Sequence, residues 1–161
     1  MRMRPAQAAD HEAIWRIIEP VVRAGEAYAL PHDMSRDAAL SYWAGDDRET
    51  FVAEDETGSV IGTYYLRANQ AGGGAHVANA GYMVAAEAAG RGVARAMFAH
   101  SAERARERGF RAMQFNFVVS TNERGVRLWQ SLGFETVGRL PEAFDHPSLG
   151  YVDVLVMYRA L

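Results

Sequence analysis

The residues best placed to do chemistry stand at one junction. Tyr82-Met83-Val84 runs into the small residues Ala85–Ala89 and then Gly90-Arg91-Gly92-Val93-Ala94-Arg95. The pattern reads as a strand, a loop and a helix that begins at the second glycine. The first N–H groups of a helix have no intrahelical partner, and the helix dipole leaves partial positive charge on them. Such an end suits a phosphate. Gly90, Gly92 and Ala94 let backbone come close to a diphosphate, and Arg91 and Arg95 add charge from outside. The same local pattern also fits an ordinary strand-to-helix turn. A P-loop would need Gly-Lys-Ser/Thr, which is absent. A dinucleotide turn would need glycine where Arg95 stands.

A second set of residues is polar and uncharged. Asn79 and Asn116 fall in separate strand patterns, and an amide can donate to a carboxylate or accept from an amine. Each also fits a satisfied polar group in a sheet. Asn122 opens a helical stretch, where it can cap the helix or meet a ligand, and Ser120-x-x-Glu123 is a rival capping box. Trp129 carries a donor with no useful acidity.

The elements that must position these residues follow from periodicity. A short strand is expected near Arg2–Arg4. Asp10 can cap a helix with Ala13, Ile14, Ile17, Ile18 and Val21 on its apolar face. Pro20 is expected to kink or end that helix. Ser35 can cap a second helix through Trp43, with Gly45 at its end. Phe51–Asp55 and Ser59–Ala68 read as a hairpin, Gln70–Ala75 as a turn, and His76–Val84 as a third strand. Gly92–Arg108 is helical, with Val93, Met97, Phe98, Ala102 and Ala105 on one face. Arg111–Val119 reads as a strand with Met113, Phe115, Phe117 and Val119 on one side and Gln114, Asn116 and Val118 on the other. Asn122–Leu132 is a helix, followed by a strand to Gly138, a loop over Pro141–Gly150, and a last strand at Tyr151–Arg159. The expected fold is α/β (α+β): one mixed sheet with helices on both faces.

Composition narrows the chemistry. The 161 residues fit one domain, residues 1–161. Net charge is only −3, so no bulk field points to nucleic acid or a membrane surface. All 17 basic residues are Arg, which removes Schiff-base lysine chemistry, and the absence of Cys removes disulfides, thiolate metal sites and a cysteine acyl-enzyme. No apolar stretch approaches the ~20 residues of a membrane span. Met1-Arg2-Met3-Arg4-Pro5 lacks the apolar core of a signal peptide, and the expected location is cytoplasmic.

The order of elements, the loop before the third helix and Asn122…Trp129-Gln130-Ser131-Leu132-Gly133-Phe134 together resemble the GNAT (Gcn5-related) N-acetyltransferases. In that family's phosphate-loop pattern, Gln/Arg-x-x-Gly-x-Gly/Ala, Gly92 and Ala94 match and Ala89 does not. The departure removes a side chain but none of the backbone donors. The resemblance implies the GNAT fold, with about seven mostly antiparallel strands that splay between the fourth and fifth. It implies acetyl-CoA as cosubstrate, with its arm along Tyr82, Met83 and Val84 and its diphosphate on Gly90, Arg91, Gly92, Val93, Ala94 and Arg95. It makes Asn122 a coenzyme contact. Many members place a Tyr acid where this chain has Trp129, so that role does not carry over.

A narrower pattern, Phe115-Asn116-Phe117-Val118 with Asn122-Glu123, Gly138-Arg139-Leu140-Pro141 and Tyr151-Val152-Asp153, resembles the fungal azetidine-2-carboxylate (proline-analogue) N-acetyltransferase. It implies Asn79 and Asn116 as catalytic and substrate-binding residues. Phe117, Tyr28 and His32 join them as candidate acceptor contacts, with the Tyr28–Met34 segment and the Pro141–Gly150 loop as walls. Candidate proton acceptors are His76, Glu87, His32, Asp145 or water. The expected reaction is direct transfer to the amine of a small metabolite, an amino or imino acid. A peptide or protein amine and a non-catalytic CoA-binding sensor remain alternatives. No metal is expected, and a homodimer follows from the family alone.

Overall fold

The computed structural model describes residues 1–161. Their order is β1 (Arg2–Pro5), α1 (His11–Ala24), α2 (Arg36–Trp43), β2 (Glu49–Glu54), β3 (Val60–Ala68), β4 (Val77–Val84), α3 (Val93–Glu107), β5 (Ala112–Val119), α4 (Glu123–Ser131), β6 (Glu135–His146) and β7 (Gly150–Ala160). The strands make one seven-stranded sheet in the order β1-β2-β3-β4-β5-β7-β6. Every neighbouring pair is antiparallel except β4 and β5. The mixed, mostly antiparallel sheet and its splay at the fourth and fifth strands are as expected.

Alternation along β3 assigns the two faces. Thr63 takes a hydrogen bond from the indole of Trp43 in α2 at 3.0 Å, whereas the Tyr64 hydroxyl meets His100 of α3 at 2.6 Å. Thr63, Tyr65 and Arg67 therefore face α1 and α2, and Gly62, Tyr64 and Leu66 face α3. Gly62 has to be small, because a Cβ there would lie 2.8 Å from Val93. Val93, Met97, Phe98, Ala102 and Ala105 are all buried under the sheet, the face that their spacing predicts.

Three local expectations are corrected. Asp10 does not cap α1; its carboxylate takes two bonds from Arg4, at 2.7 and 2.8 Å, and one from the Gln7 N–H. A paired guanidinium is a stronger partner than a helix end. Pro20 does not end α1, which runs to Ala24 and stops at Gly25, whose φ of 63° is left-handed. Val21 is half-buried, and Val22 takes its place in the core.

Two larger corrections concern the second half of the sheet. The register of β5 shifts between Phe115 and Val118, so Phe117 is pushed outward while Val118 and Val119 are both buried. A bulge of this kind breaks strict alternation. The Pro141–Gly150 segment is not a loop. It belongs largely to β6, whose register on β7 runs to His146 opposite Gly150. An edge strand is solvated on most sides and shows little hydrophobic alternation, and it tolerates Pro141.

Candidate active site

β4 and β5 pair only at Val77–Ala112 and Ala78–Met113 before they part. The next residue, Asn79, is buried, and its Nδ2 donates to the Gln114 carbonyl at 3.0 Å. This side chain continues the ladder one step past its last backbone pair. Beyond it the strands enclose a cavity of about 1080 Å³, bordered by the segment after α1, the turn before α3, and α4.

At one end of the cavity, Gly90 and Gly92 both take φ of 79°, a conformation that disfavours any other residue. Gly92 is the N-cap of α3, and no side chain caps that end. The first helical bond runs from the Ala96 N–H to the Gly92 carbonyl, leaving the N–H groups of Val93, Ala94 and Arg95 ahead of it. Arg95, Arg124 and Arg127 border the same end. Arg95 is steadied by Ser131 Oγ at 2.9 Å. The result is a small-residue turn with free amides inside a ring of guanidinium groups.

At the other end stand aromatic and polar groups. Tyr28, Tyr42 and Tyr65 form a wall around Trp43, with ring centres 6.0 Å apart for Tyr28–Trp43 and 5.0 Å for Trp43–Tyr65. Tyr65 lies across Gly81, where a Cβ would come within 2.7 Å of its ring. The amides form a chain: Gln114 donates to Asn116 at 2.9 Å, and Asn116 donates to Asn69 at 2.6 Å. The Tyr28 hydroxyl accepts from the Tyr82 N–H and donates to the Tyr82 carbonyl, both at 3.0 Å.

The family model described as "Acetyltransferase (GNAT) family" matches residues 12–134. The chain belongs to the GNAT acetyltransferase family. A solved GCN5-related N-acetyltransferase from Kribbella flavida is 47% identical, covers 99% of this chain and 97% of that one, and superposes with a TM-score of 0.93. A GNAT-superfamily phosphinothricin acetyltransferase from Sinorhizobium meliloti, solved in complex with AcCoA, is 28% identical over 99% of this chain and 88% of that one, at a TM-score of 0.85. A ribosomal-protein-alanine N-acetyltransferase from Brucella melitensis is 26% identical over the full length of both chains, also at 0.85. No curated protein sequence matches this chain.

With the GNAT fold in place, the residues singled out from sequence can be located. Asn79, Tyr82, Val84, Gly90, Gly92, Val93, Ala94, Arg95, Asn116, Phe117, Asn122 and Tyr28 border the cavity. Met83, Arg91 and His32 do not. Asn122 caps α4 by accepting from the Gly125 N–H at 3.2 Å, the capping alternative, while still bordering the cavity. Trp129 also has two surroundings, since it packs on Phe115 at 4.8 Å and Tyr82 at 5.1 Å and borders the cavity. Of the residues around the cavity, sequence reading missed Arg67, Arg124, Arg127, Tyr42 and Tyr65. Arg124 and Arg127 follow Asn122 within one and a half turns, and that spacing is the signal that could have found them.

No Asp, Glu or His borders the cavity. His32, His76, Glu87 and Asp145, the candidate proton acceptors, are all exposed and stand outside it. The ionisable groups that do line it are tyrosines and arginines. Burial pushes the hydroxyls of Tyr28, Tyr65 and Tyr82 well above the usual phenol range. At neutral pH they are therefore donors and not bases. The Tyr82 hydroxyl is further occupied by Ser101 Oγ at 2.6 Å.

Proposed function

We propose that this GNAT member is an acetyl-CoA-dependent N-acetyltransferase acting on the amine of a small metabolite, an amino or imino acid. The observation that carries the reading is the uncapped start of α3 behind two left-handed glycines, opening on a cavity with an aromatic and amide-lined far end. Acetyl-CoA supplies the acyl carbon and the thiolate leaving group. The N–H groups at Val93–Arg95 hold the diphosphate, with Arg95, Arg124 and Arg127 around it. The free edge of β4 at Tyr82–Val84 pairs with the pantetheine amides. Asn79 and Asn116 orient the acceptor by hydrogen bonds, and orientation alone is worth an effective molarity of ~10⁵–10⁸ M.

The transfer is direct. A new N–C bond forms as the C–S bond breaks, with no enzyme nucleophile between them. The amine proton leaves to water, because the cavity carries no carboxylate or imidazole. Trp129 has no acidic proton to give the thiolate, and burial makes the cavity tyrosines weaker acids than the thiol, so water protonates it. A backbone N–H on β4 polarises the thioester carbonyl.

The finer likeness to the proline-analogue acetyltransferase, carried by Phe115–Val118, Asn122-Glu123, Trp129, Gly138–Pro141 and Tyr151–Asp153, implies Asn79 and Asn116 as acceptor contacts and makes small cyclic imino acids the first acceptors to try. Acetylation of a peptide amine is the second reading, favoured by the Brucella relative named for a ribosomal protein. A non-catalytic CoA sensor is the third, favoured by Trp129. A single domain, a cytoplasmic location and a homodimer belong to the first reading; no helix is long and apolar enough to cross a membrane. Thiol release from acetyl-CoA with amino acids, imino acids, simple amines and peptides separates these readings. Turnover on small amino or imino acids supports the first. Turnover on peptides alone supports the second, and CoA binding without release on any of them supports the third.

A further inference from the structure

Arg67 is the one cation at the acceptor end of the cavity, far along β4 from the arginines around the α3 turn. It sits on β3 directly opposite Asn79 of β4. Directly opposed residues on one face have Cβ atoms about 4.5–5.5 Å apart. The side chain of Arg67 is under-used. Its Nε is buried without a partner, and its NH1 only reaches Asp47 Oδ2 at 3.4 Å.

Asp47 is already committed elsewhere. Arg48 binds both of its oxygens, at 2.7 and 3.1 Å, and its guanidinium rests on the rings of Tyr42 and Tyr65 at 5.0 and 4.8 Å. Two guanidinium groups share one carboxylate, which leaves one positive charge uncompensated, and Arg67 is the one that borders the cavity. A cation left with only a long, shared ion pair in a half-buried aromatic pocket is stabilised when a second anion joins it. A guanidinium presents a planar fork that matches a carboxylate.

We propose that Arg67 binds the carboxylate of the acceptor, so that the acetylated molecule is a small α-amino or α-imino acid and not a simple amine. The inference rests on the function proposed above and deepens it. With the carboxylate on Arg67, an amine one carbon away lies over Asn79 and beside Asn116. It then faces along β4 toward Tyr82 and the coenzyme end. Arg67 thus selects the acceptor by charge, and the two asparagines set the direction of attack.

The test compares free acids with their carboxamides, starting with L-proline, azetidine-2-carboxylate, alanine and glycine, in thiol-release assays with acetyl-CoA. The wild-type protein should favour at least one acid over its amide by about 10- to 100-fold in kcat/KM, the range for a hydrogen bond to a charged partner. Arg67→Gln should abolish that preference, chiefly by raising KM for the acid. Arg67→Lys should restore part of it. Acetyl-CoA affinity measured by calorimetry should be the same in all three proteins. Equal use of acid and amide by the wild type, or an undiminished preference in Arg67→Gln, overturns the assignment. Turnover of simple amines or peptides with no acid used overturns it while leaving the transferase intact. Coenzyme binding with no thiol release on any acceptor overturns both.

Discussion

The Tyr28 hydroxyl bridges the amide N–H and the carbonyl of Tyr82, at 3.0 Å each, on the edge of β4 that β5 has left free. Tyr28 comes from the segment between α1 and α2, so the acceptor wall and the coenzyme strand meet through one hydroxyl. That hydroxyl stands where the pantetheine arm is proposed to pair, and it must yield when the arm arrives.

Tyr28→Phe removes this competitor. It leaves the Tyr82 N–H and carbonyl without a protein partner, at a cost of about 1–3 kcal/mol. Thermal denaturation of the free protein should therefore shift down. Acetyl-CoA binding should tighten by a few-fold, and calorimetry reads this directly. Unchanged melting with weakened binding would mean that the hydroxyl holds the coenzyme instead.

Gly92→Ala tests the turn. Nothing lies within 4 Å of a Cβ added there, so the effect comes only from the backbone at φ 79°. A left-handed non-glycine residue costs roughly 1–2 kcal/mol. The turn is expected to relax and misaim the N–H groups of Val93–Arg95. Coenzyme affinity should fall at least about tenfold, far more than a comparable change at Gly58, whose hairpin turn lies outside the cavity.

Asn116→Ala breaks the chain from Gln114 to Asn69 beside the splay. Most turnover should be lost while acetyl-CoA still binds with unchanged affinity. Steady-state kinetics paired with calorimetry distinguishes this from misfolding. Full activity would remove Asn116 from the reaction.

The pH profile carries the signature of a cavity without a base. Tyr28, Tyr65 and Tyr82 are held protonated by burial, and no carboxylate or imidazole lines the cavity, so no cavity group should shape the rate between about pH 5 and 8. The logarithm of kcat/KM should climb with pH toward the acceptor's own ammonium pKa, and should move with that pKa when the acceptor is changed. An inflection near 6.5 common to all acceptors would require a histidine in the reaction.

Stability has its own pH dependence. The Arg4 guanidinium, paired at 2.7 Å, holds the Asp10 carboxyl below the usual range. A depressed carboxylate stabilises the fold above its unfolded pKa, and that contribution disappears as pH falls through the folded pKa. Melting temperature should drop on acidification below about pH 4, and Asp10→Asn should be less stable at neutral pH with a shallower acid slope.

Much of the fold could be read from residue order because its buried elements carry strong periodicity. The spacing of Val93, Met97, Phe98, Ala102 and Ala105 alone places α3. The start of β6 was read as a strand to Gly138, but its continuation to His146 was not, since an edge strand buries too little to pattern its residues. The outward turn of Phe117 depends on a bulge that alternation cannot reveal. At the site, the turn before α3 was legible from Gly90 and Gly92, whose conformation only glycine adopts readily. Arg67 was not, because an arginine near a strand end has the same appearance in a sequence whether it meets solvent or a substrate. Its meaning depends on Arg48 taking Asp47 first.

The central claim is that the amides opening α3 hold the diphosphate of acetyl-CoA. Calorimetric titration of acetyl-CoA into the folded protein, repeated with Gly92→Ala, tests it most directly. The account predicts one binding site per chain that the substitution weakens at least about tenfold. No association with the folded wild-type protein, or identical affinity in both proteins, would contradict it.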